Sequence, residues 1–412
     1  MIFYNLSIRL YYLFISLASY FNPKAKKWIE GRKNWKQNLL NKIHVNEKYI
    51  WVHCASVGEF EQGRPLIETV RNKYPHYKIL LTFFSPSGYE LRKNYQEANY
   101  VFYLPLDTRI NANEFISIVK PHLAIFVKYE FWLNYINECK INDIPLVLIS
   151  ARFSKNQIFF KKYGKLFLKA LESFKLIFVQ DEESKKLIES VKYSIVNIAN
   201  DTRFDRVAQV ANNAQEIPLI DQFISNYKNV LVCGSTWEAD EIILASLYSS
   251  NKSGSLKIII APHEINTNNL NRLQNLFPSS VKYSQLTNSN PESEVLIIDN
   301  IGMLSTLYKY ASICYIGGGF GKGIHNTLEA AVYGKPILFG PNYTKFNEAN
   351  DLIKLKSAFC VSDKSSLIKT VESLLNNNSL YINSSSSSKN YVYSKTGGTE
   401  FILTKMIEEN LL

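Results

Sequence analysis

The chain has 412 residues, 46% hydrophobic and 13% aromatic, which suits two domains of ordinary size and argues against a disordered chain. Its formal charge of +11, from 47 basic and 36 acidic residues, favours anionic partners such as nucleotides, phosphorylated lipids or a membrane surface. No compact arginine- and aromatic-rich module points to nucleic acid, and five scattered cysteines without a CxxC pair indicate neither a disulfide framework nor a zinc site and fit a reducing compartment.

Met1 to Phe21 is almost wholly apolar or aromatic, broken by Asn5, Ser7, Arg9, Ser16 and Ser19. Behind it stand Lys24, Lys26, Lys27, Arg32, Lys33 and Lys36, with only Glu30 against them. The uncharged part, Leu10 to Phe21, is short for a spanning helix. Residues 1–40 therefore read as a membrane-associated helix with a basic collar, on the cytoplasmic face of a membrane. A cleaved signal peptide, a core helix and a single tilted crossing stay open, although basic residues that follow the apolar stretch fit a signal peptide poorly.

From Tyr49 onward short apolar runs alternate with amphipathic stretches. Ile50–Cys54, Ile79–Phe84, Leu123–Val127, Pro145–Ile149 and Leu176–Val179 read as strands of a parallel sheet covered by helices. They place a first α/β domain over residues 41–208. Inside it lies Trp51-Val-His-Cys-Ala-Ser-Val-Gly-Glu-Phe60, a strand, a small-residue turn and a helix start. Ligands of open α/β sheets sit beyond the carboxyl ends of the strands, so Glu59 stands where chemistry is expected. A lone carboxylate there can take a proton from an attacking hydroxyl. Complementing a helix dipole, together with Glu61, is the plainer reading.

The pattern pauses between Arg206 and Asn226, which reads as a linker. It resumes with Val230–Cys233, Leu256–Ala261, Val295–Ile298, Ile313–Ile316 and Pro336–Phe339, a second α/β domain over residues 226–395. Ser384 to Ser388 reads as a solvated loop, and residues 396–412 as a closing helix.

Within the second domain runs Ile316-Gly-Gly-Gly-Phe-Gly-Lys-Gly-Ile-His-Asn-Thr-Leu-Glu329, followed by Gly334-Lys-Pro-Ile-Leu-Phe-Gly-Pro341. Glycines let backbone amides approach a phosphate, and a helix starting near His325 and Asn326 adds its positive end. Glu329 can accept from ribose hydroxyls. The segment thus suggests an activated sugar nucleotide. The bland alternative is a turn closed by an Asn326–Glu329 capping box.

The Ser-Val-Gly-Glu59 segment resembles a motif of the bacterial lipid A Kdo transferases, enzymes that move 3-deoxy-D-manno-octulosonic acid (Kdo) from its CMP ester to a lipid A precursor. Similar blocks follow in order: Thr82-Phe-Phe-Ser-Pro-Ser-Gly88, Tyr103-Leu-Pro-Leu-Asp107, Glu130-Phe-Trp-Leu-Asn134, Ala151-Arg152, Thr202-Arg-Phe-Asp205, Gly234-Ser-Thr236, Ala261-Pro-His263, Asp299–Leu304 and the Gly-x-His-Asn-x-x-Glu stretch. The resemblance implies a GT-B fold, two Rossmann-like domains facing each other across a cleft. It implies a glycosyltransferase of lipopolysaccharide synthesis on the cytoplasmic side of the inner membrane, using CMP-Kdo as donor substrate with no cofactor; no metal is expected either, because no cluster of ligands has suitable spacing. It puts the catalytic base on Glu59 and charged stabilisers on Glu130 and Arg203. It puts CMP contacts on Pro262 and His263, on Ile301, Gly302 and Met303, and on Asn326, Thr327, Leu328 and Glu329.

Four departures stand out. Lys128 replaces a frequent Glu two positions before Glu130, and Leu133 replaces Pro. Pro262-His263 lacks the family's intervening arginine, for which Lys322 is the candidate substitute. Asn200 stands where the block before Arg203 usually begins with Gly. The alternatives are another GT-B enzyme, a UDP-sugar transferase or epimerase, and a non-catalytic membrane-bound sugar-nucleotide binding protein.

Overall fold

The computed structural model describes residues 1–128, 130–161, 164–191, 195–251, 255–286 and 293–412. It divides into two compact units, one formed by Met1–Arg206 with Thr396–Leu412 and the other by Val207–Lys395.

The first unit is built on strands β1 (Lys48–Cys54), β2 (Tyr77–Phe83), β3 (Tyr100–Tyr103), β4 (Leu123–Val127), β5 (Leu146–Ala151), β6 (Leu176–Val179) and β7 (Val196–Ile198). All pairings are parallel, in the order β3-β2-β1-β4-β5-β6-β7. Both faces are covered, which is why Leu123-Ala-Ile-Phe-Val127 is apolar throughout. Alternate residues feed two cores: Trp51 and Phe126 enter one, Ile50, Val52 and Ile125 the other. The strand order reverses between β1 and β4, the switch point at which such sheets bind ligands.

The closing helix, Gly398–Glu408, belongs to this first unit. It buries Ile402, Leu403 and Met406 in the second of those cores. Asp205 secures its start by accepting from the Gly397 and Thr399 amides at 2.6 and 2.7 Å.

The N-terminal helix, Ile2–Ala18, lies against the same unit through Tyr4, Ile8, Tyr11 and Ile15, spaced for one helical face. Tyr4 Oη donates to Asp107 Oδ2 at 2.5 Å, and Asn134 Nδ2 donates to Asn5 Oδ1 at 3.0 Å. Asp107 also accepts from the Asn134 and Tyr135 amides, at 3.2 and 3.1 Å, capping the helix Leu133–Ile141. The outer face carries exposed Phe3, Leu6, Leu10, Leu13, Phe14 and Leu17. Among the described residues no helix is long and apolar enough to cross a membrane.

The second unit carries β8 (Asn229–Thr236), β9 (Leu256–Pro262), β10 (Ser280–Lys282), β11 (Val295–Ile297), β12 (Ile313–Ile316), β13 (Ile337–Phe339) and β14 (Ala358–Cys360). They too are parallel, in the order β10-β11-β9-β8-β12-β13-β14, with the reversal between β8 and β12.

Two local expectations are corrected. Ser384–Ser388 is no loop but part of the helix Asn378–Tyr393, with Ser384 and Ser388 buried one turn apart. Small side chains let that helix pack closely, and Ser384 Oγ donates to the Lys356 carbonyl at 2.8 Å. The stretch between Arg206 and Asn226 is largely helical, containing the end of Arg203–Asn212 and all of Pro218–Ile224.

Candidate active site

Beyond the carboxyl end of β1, Ser56 opens the helix Val57–Lys73 and accepts from the Gly58 amide at 3.3 Å. Glu59 lies in the first turn and is buried. Both of its carboxylate oxygens are held. The Ser56 hydroxyl donates to Oε2, and Lys128 Nζ donates to Oε1 at 3.4 Å. Lys128 follows directly on β4, so the contact spans the switch point of the sheet. Glu130 joins the same corner. Burial, and then the nearby charge of Glu59, push its carboxyl up from 4.5 to about 7, while Lys128 pulls the other way.

A buried network supports this corner. Trp132 Nε1 donates to His53 Nε2 at 2.9 Å, and His53 Nδ1 meets Thr82 Oγ1 at 2.9 Å. Thr82 Oγ1 also accepts from Trp51 Nε1 at 2.8 Å. The Trp132 ring lies 4.5 Å from that of Phe84, centroid to centroid. Phe84 walls a cleft of about 330 Å³ lined also by Tyr11, Ile15, Asn22, Lys24 and Trp28, between the N-terminal helix and the segment after β2.

Arg203 pairs with Asp201, which Gln62, one helical turn after Glu59, also contacts. Its Nε and Nη2 donate to Asp201 Oδ2 at 3.0 and 2.8 Å, and Gln62 donates to the same oxygen at 2.9 Å. Asp201 is buried; its carboxyl is held below the ordinary value by Arg203, against the opposing effect of burial. Asn200 has φ 56°, the left-handed region that asparagine tolerates, which explains why this position accepts Asn as well as Gly.

In the second unit Pro262 ends β9 and His263 follows it. The His263 ring stacks on Trp237 at 4.4 Å and approaches His325 at 4.5 Å. Trp237 Nε1 donates to His325 Nε2 at 3.2 Å. Burial, then His263, lower the His325 pKa to about 4, so its ring is neutral near pH 7. Pro262 and His263 are thus brought to the turn that precedes Asn326. Ile301 and Gly302 are exposed, and Met303 leads into the helix Leu304–Leu307.

The glycine-rich turn differs from its simplest reading. The amides of Gly317, Gly318, Gly321 and Gly323 all have acceptors within the protein: the Gly234 carbonyl, Asp240 Oδ2 and, for the last two, the Gly318 carbonyl. A Cβ on Gly317 would collide with the Ser235 carbonyl and stand 2.6 Å from Thr236 Cα. Here glycine serves the close approach of two strand ends. The helix after Asn326 covers only Leu328–Ala331, too short for a sizeable dipole. Asn326 accepts from the Leu328 amide and donates to the Glu329 carboxylate, both at 3.0 Å, which is not the expected capping box, since the helix is capped at Thr327 without a side-chain bond. Leu328 is buried, and Thr327 Oγ1 is buried without a hydrogen-bond partner. Lys322 is exposed.

Sequence reasoning missed Ser56 as a ligand of the carboxylate, the His53–Thr82–Trp132 network, Asp201 and Asp240. The one local signal was Asp201, two positions before an arginine. Among the described residues no group of three or more His, Cys, Asp or Glu could hold a metal ion.

Residues 32–206 match the family described as 3-deoxy-D-manno-octulosonic-acid transferase (kdotransferase). A 3-deoxy-D-manno-octulosonic acid transferase of Haemophilus influenzae is 28% identical over 381 residues, covering 88% of this chain and 87% of that one. A bifunctional glycosyltransferase/methyltransferase of Fusobacterium nucleatum is also 28% identical over 80% of this chain, which spans about half (53%) of that relative's length. Among solved structures, UDP-GlcNAc 2-epimerase from Neisseria meningitidis, bound to UDP-GlcNAc, gives a TM-score of 0.62 at 17% identity, over 88% of this chain and 100% of that one. At that identity the likeness is one of fold, and the fold is GT-B-like. The chain is therefore a glycosyltransferase, similar to the Kdo transferases in its first unit and along most of its length.

Proposed function

We propose that this glycosyltransferase moves Kdo from CMP-Kdo to a lipid A precursor of the tetra-acylated type, with inversion, and with Glu59 as general base. The observation that carries this reading is the Glu59 carboxylate. It lies at the switch point of the first sheet, inside the matched Kdo transferase segment, with both oxygens oriented by Ser56 and Lys128. In the reaction Glu59 accepts the proton of an acceptor sugar hydroxyl. The hydroxyl oxygen bonds to the anomeric carbon of Kdo as the bond from that carbon to the phosphate oxygen breaks, and CMP leaves with the electron pair. A well-placed base is worth about 10²–10⁴ in rate.

The second unit takes the nucleotide in this reading, through Pro262, His263, Ile301, Gly302, Met303 and Asn326–Glu329. The unpartnered Thr327 hydroxyl favours a ligand at that segment. Arg203 steadies negative charge on the donor, although Asp201 already offsets much of its own. The exposed apolar face of the N-terminal helix, with the basic residues after it, suits the cytoplasmic leaflet of the inner membrane. The cleft around Phe84, with Lys24 among its linings, suits part of an anionic lipid acceptor.

The test is transfer itself. Purified protein is given freshly generated CMP-Kdo and a tetra-acylated precursor in vesicles, and mass spectrometry counts the sugars added. Parallel reactions offer UDP-sugars. Glu59→Gln should lower turnover by about 10²-fold or more while CMP still protects the protein against heat. Turnover with a UDP-sugar but not CMP-Kdo, or an active Glu59→Gln enzyme, would overturn the reading.

A further inference from the structure

Lys128 is where this chain departs from the family block it resembles, and the structure gives that departure a contact. Its ammonium lies 3.4 Å from Glu59 Oε1, joining residues 69 positions apart in the chain. Its backbone is left-handed, with φ 71°, a conformation that residues with a Cβ adopt rarely and that persists where the surroundings demand it. The carboxylates facing this corner are Glu59, Glu130 and Glu61, and all three act on the buried Cys54 thiol, which burial chiefly and then their charges push upward. Glu61 has guanidinium partners of its own, Arg92 at 2.7 Å and Arg64 at 3.8 Å. Lys128 acts on both Glu59 and Glu130.

We propose that Lys128 is a positioning residue for the transfer. It clamps the Glu59 carboxylate against the Ser56 hydroxyl and offsets the like charge of Glu130, so that the base is presented in one orientation. A carboxylate anchored at one oxygen only turns about its last torsion; anchored at both, it does not. Like charges that lack a counter-ion in a half-buried corner separate or take up a proton, and either outcome removes the base from its place. The inference rests on Glu59 being the base.

The experiment compares Lys128→Met, Lys128→Arg and Lys128→Glu with the unaltered enzyme and Glu59→Gln, measuring kcat, the KM for CMP-Kdo and the thermal midpoint across pH 6–9. Lys128→Met should lose about tenfold or more in kcat, as expected for a charge-assisted contact, with little change in KM. Lys128→Arg should restore most of the rate. Lys128→Glu should fall below Lys128→Met, because it adds another negative charge beside Glu59. Wild-type kcat in both Lys128→Met and Lys128→Glu, with Glu59→Gln inactive, overturns the role of Lys128 and leaves the base in place. A loss that merely follows a lowered midpoint and is not rescued by arginine overturns it as well. An active Glu59→Gln enzyme instead removes the reading beneath it.

Discussion

Trp132 donates its indole N–H to His53 Nε2 at 2.9 Å, and this one bond decides the state of a fully buried imidazole. A nitrogen that accepts carries no proton, so His53 is neutral with its hydrogen on Nδ1, facing Thr82 Oγ1. Burial agrees, lowering the His53 pKa to about 3. The bond ties the segment behind β4, which carries Glu130, to the strand whose turn carries Glu59. The Glu-x-Trp block thus has a physical explanation: its tryptophan fastens its glutamate to the neighbouring strand.

Trp132→Phe tests that fastening. It keeps an aromatic ring against Phe84 but leaves His53 Nε2 buried without a donor, a loss of about 1–3 kcal/mol. The thermal midpoint should fall and the transfer rate with it. An unchanged midpoint would show that His53 does not depend on this donor.

The raised carboxyl of Glu130 makes a pH-dependent prediction with a definite sign. Its pKa rises from 4.5 to about 7, chiefly through burial and secondly through Glu59. Below its ordinary value the group is protonated folded or unfolded and costs nothing. As pH climbs from about 4.5 to about 7 the unfolded chain ionises first, and the folded state loses relative stability. Glu130→Gln removes that loss. The midpoint of Glu130→Gln minus that of the wild type should therefore be larger at pH 8 than at pH 5. Asp107, raised to about 6 mainly by burial, acts alike in both proteins and cancels in the difference. Equal differences at the two pH values would show that folding does not favour the neutral form.

Gly317→Ala should destabilise the second unit, since the new methyl group meets the backbone of Ser235 and Thr236 and not a yielding side chain. Overpacking of this kind costs about 1–3 kcal/mol. Protection by CMP should weaken too. Gly321→Ala is the control, because its Cβ would meet nothing nearer than the Gly318 carbonyl at 3.7 Å. If both variants melt alike, the close approach of the strand ends is not what requires glycine.

Leu13 and Phe14 test the apolar face of the N-terminal helix without touching Tyr4. Both are exposed, so Leu13→Ser with Phe14→Ser should leave the thermal midpoint intact. Each such side chain gains about 1.5–3 kcal/mol when buried, so the pair should weaken binding to anionic vesicles by about 10²-fold or more. Cosedimentation with vesicles is the readout. Undiminished binding would refute the anchoring face.

Ten strands announced themselves in the linear sequence as short apolar runs, and each proves to be interior to its sheet. The four that did not, β3, β7, β10 and β14, are the four sheet edges. An interior strand of a covered parallel sheet is flanked by apolar layers on both faces and must itself be apolar. An edge strand is shorter and less fully enclosed, so its composition blends into the surrounding loops. The serine run failed for a related reason: smallness reads as solvation, yet it also permits close helix packing, and only the neighbours of Ser384 and Ser388 distinguish the two.

The same division holds at the site. The position of Glu59 could be read in one dimension because a strand, a small-residue turn and an acidic first helical turn are contiguous, although position alone left the helix-dipole reading the plainer one. Its partner Lys128, the His53–Trp132 bond and the Asp240 grip on Gly318 join residues far apart in the chain. Periodicity and turn chemistry are properties of neighbours along the backbone. Charge pairing, proton position and which amides are already engaged depend on which strands lie side by side, and parallel sheets bring together segments that the chain itself keeps far apart.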